Sequence, residues 1–180
     1  DGSLFLLGNG YCGFRGTFME ATKEDYAGII VTDTWDNADG KWEELATAMN
    51  GLYANLIIDG TSVFDYPTNT FTRSLDLKTG LAERTIRIDI DGTTLTVQER
   101  KFVSMANRHL IAMQVTLQAS APLTLTLLQG IDSDVWSLNG QHLQDIVMAP
   151  IEEGFIASAL LPTYQDTLVV GSALKIGDIQ

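Results

Sequence analysis

Residues 81–103 read LAERTIRIDIDGTTLTVQERKFV. Two runs of alternating apolar and polar side chains, Leu81–Ile90 and Thr93–Val103, flank the dipeptide Asp91-Gly92. Asp-Gly between such runs is the strongest short-range hairpin signal, because a type I′ turn needs positive φ at both central residues. We therefore predict that the two runs pair as one antiparallel hairpin.

The same pattern recurs on both sides of this hairpin. Leu52–Ile58 meets Thr61–Phe64 across Asp59-Gly60, and alternating apolar residues return at 111–117 and 123–127. The chain is rich in Val, Ile and Thr, which are enriched in strands. Consecutive antiparallel strands joined by short turns predict an all-β fold, a twisted antiparallel two-sheet β-sandwich with little helix.

One segment has the spacing of a helix. Over Lys41–Ala48, the side chains of Trp42, Leu45 and Ala46 could share one helical stripe. We predict helical turns there and strands through most of the rest. The expected organisation is a single domain over residues 1–180, truncated at both ends.

Composition limits the classes of partner. The chain has 11 Lys and Arg against 23 Asp and Glu, a formal net charge of -12, which repels nucleic-acid phosphates and anionic lipids. No apolar run approaches the roughly 20 residues that span a bilayer. The one cysteine, Cys12, excludes an internal disulfide and fits a reducing compartment. We expect a cytoplasmic protein with no nucleic-acid partner and no membrane partner.

Catalytic and metal motifs are absent from the sequence. His109 and His142 are too few for a three-histidine zinc site, and His109 is expected to be a satisfied core histidine on the apolar face of a strand. Asp132, Asp134 and Asp145 lack the Gly and the terminal Glu of a calcium loop, so we interpret them as solvated loop acids. No metal and no cofactor is predicted.

Aromatic residues leave two interpretations open. Trp35, Trp42 and Trp136 could form a sugar-stacking platform, because the apolar faces of pyranose rings pack on indole rings, or they could belong to a core or an interface. Trp136 lies in the polar loop over residues 130–142 and is the candidate for sugar stacking. Irregular loops beside a regular sheet are where binding residues usually lie.

Charged residues along the predicted strands are expected on the outward face of the sheet. There they would form cross-strand ion pairs worth roughly 0.2 to 1 kcal/mol each, or line a contact with a further domain. The set comprises Glu83, Arg84, Arg87, Asp89, Glu99, Arg100 and Lys101.

A second irregular stretch, Gly8–Gly16, contains four glycines and formally matches GxGxxG, although no helix follows it. It opens a series of four ordered motifs: LGNGYCGFRG at 7–16 with Phe18 and Glu20, LDLKTGL at 75–81, ERKFVSMANRH at 99–109, and GID at 130–132. Together these motifs resemble the N-terminal signature of glycoside hydrolase family 65, the maltose, trehalose and kojibiose phosphorylases.

The resemblance implies an N-terminal β-sandwich of the galactose mutarotase-like supersandwich type, followed by an (α/α)6 barrel that holds the general-acid Glu and the phosphate-binding residues. It implies that this chain is the non-catalytic N-terminal domain of an inverting phosphorylase of an α-linked glucose disaccharide. Inorganic phosphate is then the co-substrate of the full-length enzyme. The chain itself would be inactive, supporting its own barrel, the mouth of the active site and a homodimer contact.

In that setting the loop Gly8–Gly16 would present three side chains to the substrate entrance: Asn9, Tyr11 and Arg15. Arg15 could instead form an internal ion pair with Glu20 or Asp25. A stand-alone carbohydrate-binding module and a complete small enzyme are the other interpretations, and the missing catalytic residues disfavour the second.

Overall fold

The computed structural model describes residues 2–38 and 41–177. Within that part of the chain there is no α-helix, and short 3-10 turns lie at Gly2–Phe5, Lys23–Asp25 and Val63–Asp65. None of its helical segments is long and apolar enough to cross a membrane. The strands are β1 Leu7–Gly8, β2 Cys12–Phe14, β3 Ile29–Asp36, β4 Glu44–Ala48, β5 Asn50–Ile58, β6 Thr61–Ser62, β7 Thr68–Asp76, β8 Leu81–Ile90, β9 Thr93–Val103, β10 Ile111–Ala119, β11 Thr126–Asp132, β12 Gln144–Ile151, β13 Gly154–Leu161 and β14 Asp166–Ala173.

Contacts divide the chain into two compact units. The first unit contains residues 1–20 and 54–128, and the second contains residues 21–53 and 129–180. The chain passes between the units at three positions, of which one lies inside strand β5, one inside strand β11 and one between residues 20 and 21.

The first unit is built on an antiparallel sheet in the order β10-β9-β8-β7. Strands β8 and β9 pair from Ile90↔Thr93 outward, and their turn has φ of 49° at Asp91 and 84° at Gly92. The β5–β6 hairpin turns in the same way, with φ of 48° at Asp59 and 83° at Gly60. Both predicted hairpins are therefore confirmed.

The core of the first unit forms where the β5–β6 hairpin packs on β8 and β9. Leu56, Ile88 and Val97 have no exposed surface. Burying a side chain of this size contributes about 1.5–3 kcal/mol. The whole cluster contains Met19, Ala54, Leu56, Ile58, Val63, Ile86, Ile88, Ile90, Leu95 and Val97.

The second unit contains the β3–β4 pair and an antiparallel sheet in the order β12-β13-β14. The register of that sheet is defined by the rows Val147↔Ser158 and Ser158↔Val169. The side chains of Ala157, Ala159 and Leu161 on β13 are buried. The opposite face of the same strands is mostly exposed.

The helical turns predicted over Lys41–Ala48 are wrong. Glu44–Ala48 is strand β4, which pairs with β3 through Trp35↔Leu45 and Ile29↔Ala48. Ala46 and Ala48 are fully buried and alternate with Thr47, so their period is that of a strand. The predicted fold class, an antiparallel β-sandwich with little helix, is confirmed.

Candidate functional site

The loop Gly8–Gly16 is a short hairpin tied down by one side chain. Strands β1 and β2 pair through Leu7↔Phe14 and Gly8↔Gly13, and the turn between them has φ of 85° at Gly10. A glycine takes that conformation without the steric cost that a Cβ would add. The pairing of β1 with β2 and the positive φ at Gly10 therefore define the path of the backbone through this loop.

Asn9 supplies the tie. Its Nδ2 donates to the carbonyl oxygens of Ser104 at 2.7 Å and Arg108 at 3.1 Å. Its Oδ1 accepts from the backbone N–H groups of Tyr11 at 3.0 Å and Cys12 at 2.9 Å. All the hydrogen-bonding groups of the amide are thus used within the first unit, and Asn9 positions the loop against the turn that follows β9.

Tyr11 and His109 form the outer surface of this contact. Their ring centroids lie 4.2 Å apart with planes tilted by 59°. Tyr11 is half-buried and His109 is exposed. The prediction of a core histidine at position 109 is wrong, because residues 104–110 form a turn, closed by Ser104 N–H donating to the Leu110 carbonyl at 2.9 Å, rather than the start of a strand.

Arg15 is half-buried and lies against Gly2, where an added Cβ would come within 3.1 Å of its Nε. Glu20, one of the two expected ion-pair partners of Arg15, pairs with Arg84, whose guanidinium donates to both Glu20 carboxylate oxygens at 2.6 and 2.8 Å. The carboxylate of the other, Asp25, accepts from the backbone N–H of Thr22 at 3.1 Å. The functional role of Arg15 stays a prediction.

A buried ionic cluster lies under the segment that follows this loop. Nη2 of Arg84 donates to Glu99 at 2.8 Å, and Nζ of Lys101 lies 2.7 Å from the same carboxylate. All three side chains are 4% exposed. The cluster holds the segment through backbone contacts, because Met19 N–H donates to Glu99 at 3.1 Å and Lys101 donates to the Thr17 carbonyl at 2.8 Å.

The outward placement predicted for Arg84, Glu99 and Lys101 is therefore wrong. Arg84 shares the parity of buried Ile86 on β8, and Glu99 and Lys101 share the parity of buried Val97 on β9. Alternation in the sequence carried this signal, which the charge of the side chains obscured. The prediction holds for Glu83 and Arg100, which pair at 2.7 Å on the other face with side chains 35% and 44% exposed.

Burial and pairing oppose each other at these groups. Burial raises the pKa of Glu99, but the charges of Lys101 and Arg84 outweigh it and hold that pKa below its ordinary value. Burial lowers the pKa of Lys101 despite the neighbouring Glu99 carboxylate. The cluster is therefore a buried set of paired charges that holds the backbone of Thr17 and Met19 within the first unit.

The second unit has its own buried cluster, which the sequence did not predict. The Nδ1 of His142 lies 2.8 Å from Asp36, and its Nε2 lies 2.7 Å from Glu44. The side chains of His142 and Asp36 are fully buried. Thr163 N–H also donates to Asp36 at 2.9 Å, and Asn139 N–H donates to Glu44 at 2.7 Å.

The electrostatics of this cluster favour an ionised Asp36. Burial raises the pKa of Asp36, but hydrogen bonds from His142 and Thr163 outweigh burial and hold the pKa below its ordinary value. Both ring nitrogens of His142 face a carboxylate oxygen, and both can donate only when the ring is protonated. The cluster links β3 and β4 to the loop before β12 and to the β13–β14 turn.

The tryptophans all lie in the second unit and none is buried. Their exposed fractions are 45% for Trp35, 49% for Trp42 and 40% for Trp136. Trp136 packs edge-to-face on Tyr26 with ring centroids 4.9 Å apart. Among residues 2–38 and 41–177, no three His, Cys, Asp or Glu side chains are grouped so that they could hold a metal ion. Asp134 pairs with Lys23 at 2.9 Å.

Comparison with known proteins points to one family. The family model described as glycosyl hydrolase family 65, N-terminal domain, matches residues 1–175. The 1,2-alpha-glucosylglycerol phosphorylase of Bacillus selenitireducens is 42% identical over 94% of this chain and 23% of its own length. The nigerose phosphorylase of Lachnoclostridium phytofermentans is 30% identical over 81% of this chain and 20% of its own length.

A solved structure supports the same comparison at the level of fold. That structure, described as "Putative kojibiose phosphorylase from human microbiome", aligns with a TM-score of 0.82, at 16% identity, over 93% of this chain and 24% of that chain. The present chain therefore spans only a fifth to a quarter of the length of these relatives.

Proposed function

Because the chain belongs to glycosyl hydrolase family 65 as its N-terminal domain, we propose that it is the non-catalytic part of an inverting phosphorylase of an α-linked glucose disaccharide or related α-glucoside. Inorganic phosphate is the co-substrate of that reaction, and the catalytic acid and the phosphate site belong to the barrel. The observation that carries the proposal is the match over residues 1–175, together with relatives named as phosphorylases of α-glucosides. A stand-alone carbohydrate-binding module is not favoured, because the relatives are four to five times longer than their matched segment.

An exposed apolar sheet face is our proposed contact with the catalytic part. Val147, Ile151, Ile156 and Val169 lie on one face of the β12-β13-β14 sheet and all four are exposed. The paired positions of that face also carry alanine, glycine, serine, threonine, leucine and Gln144, and none of these side chains is charged. Contiguous apolar surface of this kind marks an interaction site. The proposal also includes a homodimer contact and a cytoplasmic location. The free thiol of Cys12 supports the location.

The Tyr11–His109 surface is our proposed contribution to the substrate entrance. Asn9 fixes the loop from inside, and Tyr11 and Arg15 are the side chains that we propose to contact a ligand. An Arg guanidinium suits this role because its planar fork donates in fixed directions, whereas Lys offers a point charge.

Activity assays test the catalytic assignment. We expect the natural full-length protein to release glucose 1-phosphate from an α-glucoside and inorganic phosphate, and the 180-residue chain to release neither glucose 1-phosphate nor glucose. Turnover by the 180-residue chain that is lost on mutation of one of its own residues would overturn the non-catalytic assignment. Phosphate-independent hydrolysis by the full-length protein would overturn phosphorolysis.

Substitution tests the entrance. In the full-length protein, Arg15→Lys is expected to lower kcat/KM at least tenfold, about 1.4 kcal/mol of transition-state stabilisation, with little change in Tm. Asn107→Asp is the matched control, because its retained Oδ1 still accepts from His109 N–H on the adjacent turn. Unchanged kcat/KM with a lowered Tm in Arg15→Lys would assign the residue to the fold.

A further inference from the structure

The second unit carries an open depression whose lining residues have no part in the proposed function. It measures about 410 Å³ and is lined by Asp33, Trp35, Glu43, Tyr164 and Asp166. The two aromatic side chains on its wall are Trp35, 45% exposed, and Tyr164, 50% exposed. Large aromatic rings left half in water on a concave wall offer flat apolar surface to a ligand. A volume of this size lies within the ordinary range of small-molecule sites, about 300–1,000 Å³.

Each of three wall residues adjoins a member of the buried His142 cluster. Trp35 precedes Asp36, Glu43 precedes Glu44, and Tyr164 follows Thr163, whose N–H donates to Asp36. The Tyr164 hydroxyl also donates to the Glu43 carboxylate, and this bond raises the pKa of Tyr164. The wall is therefore held in place from below, as a preorganised binding surface requires.

The polar groups on the wall are hydrogen-bond acceptors set apart from one another. Asp33, Glu43 and Asp166 contribute carboxylates, yet among residues 2–38 and 41–177 no such group converges closely enough to hold a metal ion. Their charge also repels anions. Separated acceptors beside aromatic faces match a neutral ligand that has several hydroxyl donors around an apolar ring face.

We propose that this depression binds a neutral saccharide, with a pyranose ring stacked on Trp35 or Tyr164 and its hydroxyls donating to the surrounding carboxylates. The site uses only residues of this chain and does not depend on the proposed function. A small organic cation is the competing ligand class, because aromatic faces and carboxylates also attract cations.

The test is titration of the 180-residue protein with maltotriose and with cellotriose, followed by tryptophan fluorescence and calorimetry. We expect saturable binding of at least one trisaccharide, weakened at least tenfold by Trp35→Ala. Trp42→Ala is the matched control, because Trp42 is exposed to a similar degree, 49% against 45% for Trp35, but is not among the residues that line the depression. Its affinity should equal that of the unaltered protein.

A second set of variants keeps the test decisive if Trp35→Ala does not fold. Asp166→Asn and Tyr164→Ala change exposed side chains of the same wall, and each should weaken trisaccharide binding with Tm unchanged. No binding of either trisaccharide overturns the proposal. So does equal loss of affinity in Trp42→Ala, or saturable binding of tetramethylammonium without any saccharide binding.

Discussion

The two faces of the β8–β9 hairpin carry the same pair of residue types at adjacent positions. Arg84 lies opposite Glu99 on one face, and Glu83 lies opposite Arg100 on the other. Their ion-pair distances are nearly equal, 2.8 and 2.7 Å. Burial separates them, since the first pair is 4% exposed and the second is more than a third exposed. The buried pair also has further partners, because Arg84 pairs with Glu20 and Glu99 pairs with Lys101. The face of the strand on which an ion pair lies, and not its presence alone, therefore decides how much the pair contributes to the free energy of unfolding.

The largest expected effect comes from breaking the buried pair. Glu99→Ala leaves Arg84 and Lys101 inside the protein without their shared carboxylate, and we expect a loss of about 3–5 kcal/mol in the free energy of unfolding. Urea unfolding measures it. Glu83→Ala on the neighbouring position is the control, with an expected loss of about 0–1 kcal/mol. Equal losses in the two variants would contradict the parity argument.

A smaller effect is expected in the second unit. His142→Ala removes the one side chain that faces both Asp36 and Glu44, while Thr163 N–H continues to donate to Asp36. We expect a loss of about 1.5–3 kcal/mol, the range for a hydrogen bond to a charged group. His109→Ala is the control, because His109 is exposed, and it should change stability by less than about 0.5 kcal/mol. A larger loss in His109→Ala would reverse the assignment of the two histidines.

Sequence predicted what depends on local order. The two Asp-Gly turns and their flanking alternation placed both hairpins, because the turn chemistry and the strand period act over a few residues. The same alternation places Arg84, Glu99 and Lys101 inside, although a charged side chain ordinarily favours the solvent face. The segment Lys41–Ala48 gives an ambiguous signal, because a short apolar spacing fits the period of a helix and the period of a strand.

Local sequence patterns do not predict the long-range hydrogen bonds of the side chains. Asn9 bonds to backbone 95 and 99 residues away, and His142 reaches Asp36 and Glu44 across 106 and 98 residues. No spacing within one segment encodes such a pair. The exposed turn at His109 was missed for a related reason, since the end of β9 follows from its pairing with other strands.

Acid should weaken both units through buried carboxylates. Burial raises the pKa of both Glu99 and Asp36, but other interactions hold each pKa below its ordinary value. For Glu99 these are the charges of Lys101 and Arg84. For Asp36 they are hydrogen bonds from His142 and Thr163. A carboxyl whose pKa is lower in the folded state stabilises that state above the unfolded pKa, about 4. This stability is lost as pH falls through the folded pKa.

The measurement is the urea midpoint between pH 7 and pH 2. We expect a decline that begins near pH 4 and is shallower in Asp36→Asn, whose amide cannot titrate. A midpoint that rises from pH 5 to pH 3 would show that these carboxyls are not stabilised as ions in the folded state.

The smallest expected effect is the coupling between Glu83 and Arg100. These residues lie directly opposite on β8 and β9, so their side chains meet without rearrangement, yet both are partly in water, where the Coulomb term is screened. A double-mutant cycle with Glu83→Ala and Arg100→Ala should give a coupling of about 0.2–1 kcal/mol at low salt. Because the Debye length falls to about 3 Å at 1 M ionic strength, the coupling should nearly vanish there. The matching cycle on Arg84 and Glu20, whose side chains are 4% and 20% exposed, should keep most of its value in the same salt. Equal salt sensitivity in the two cycles would mean that water reaches Arg84 as freely as Arg100, and the distinction between the two faces would fail.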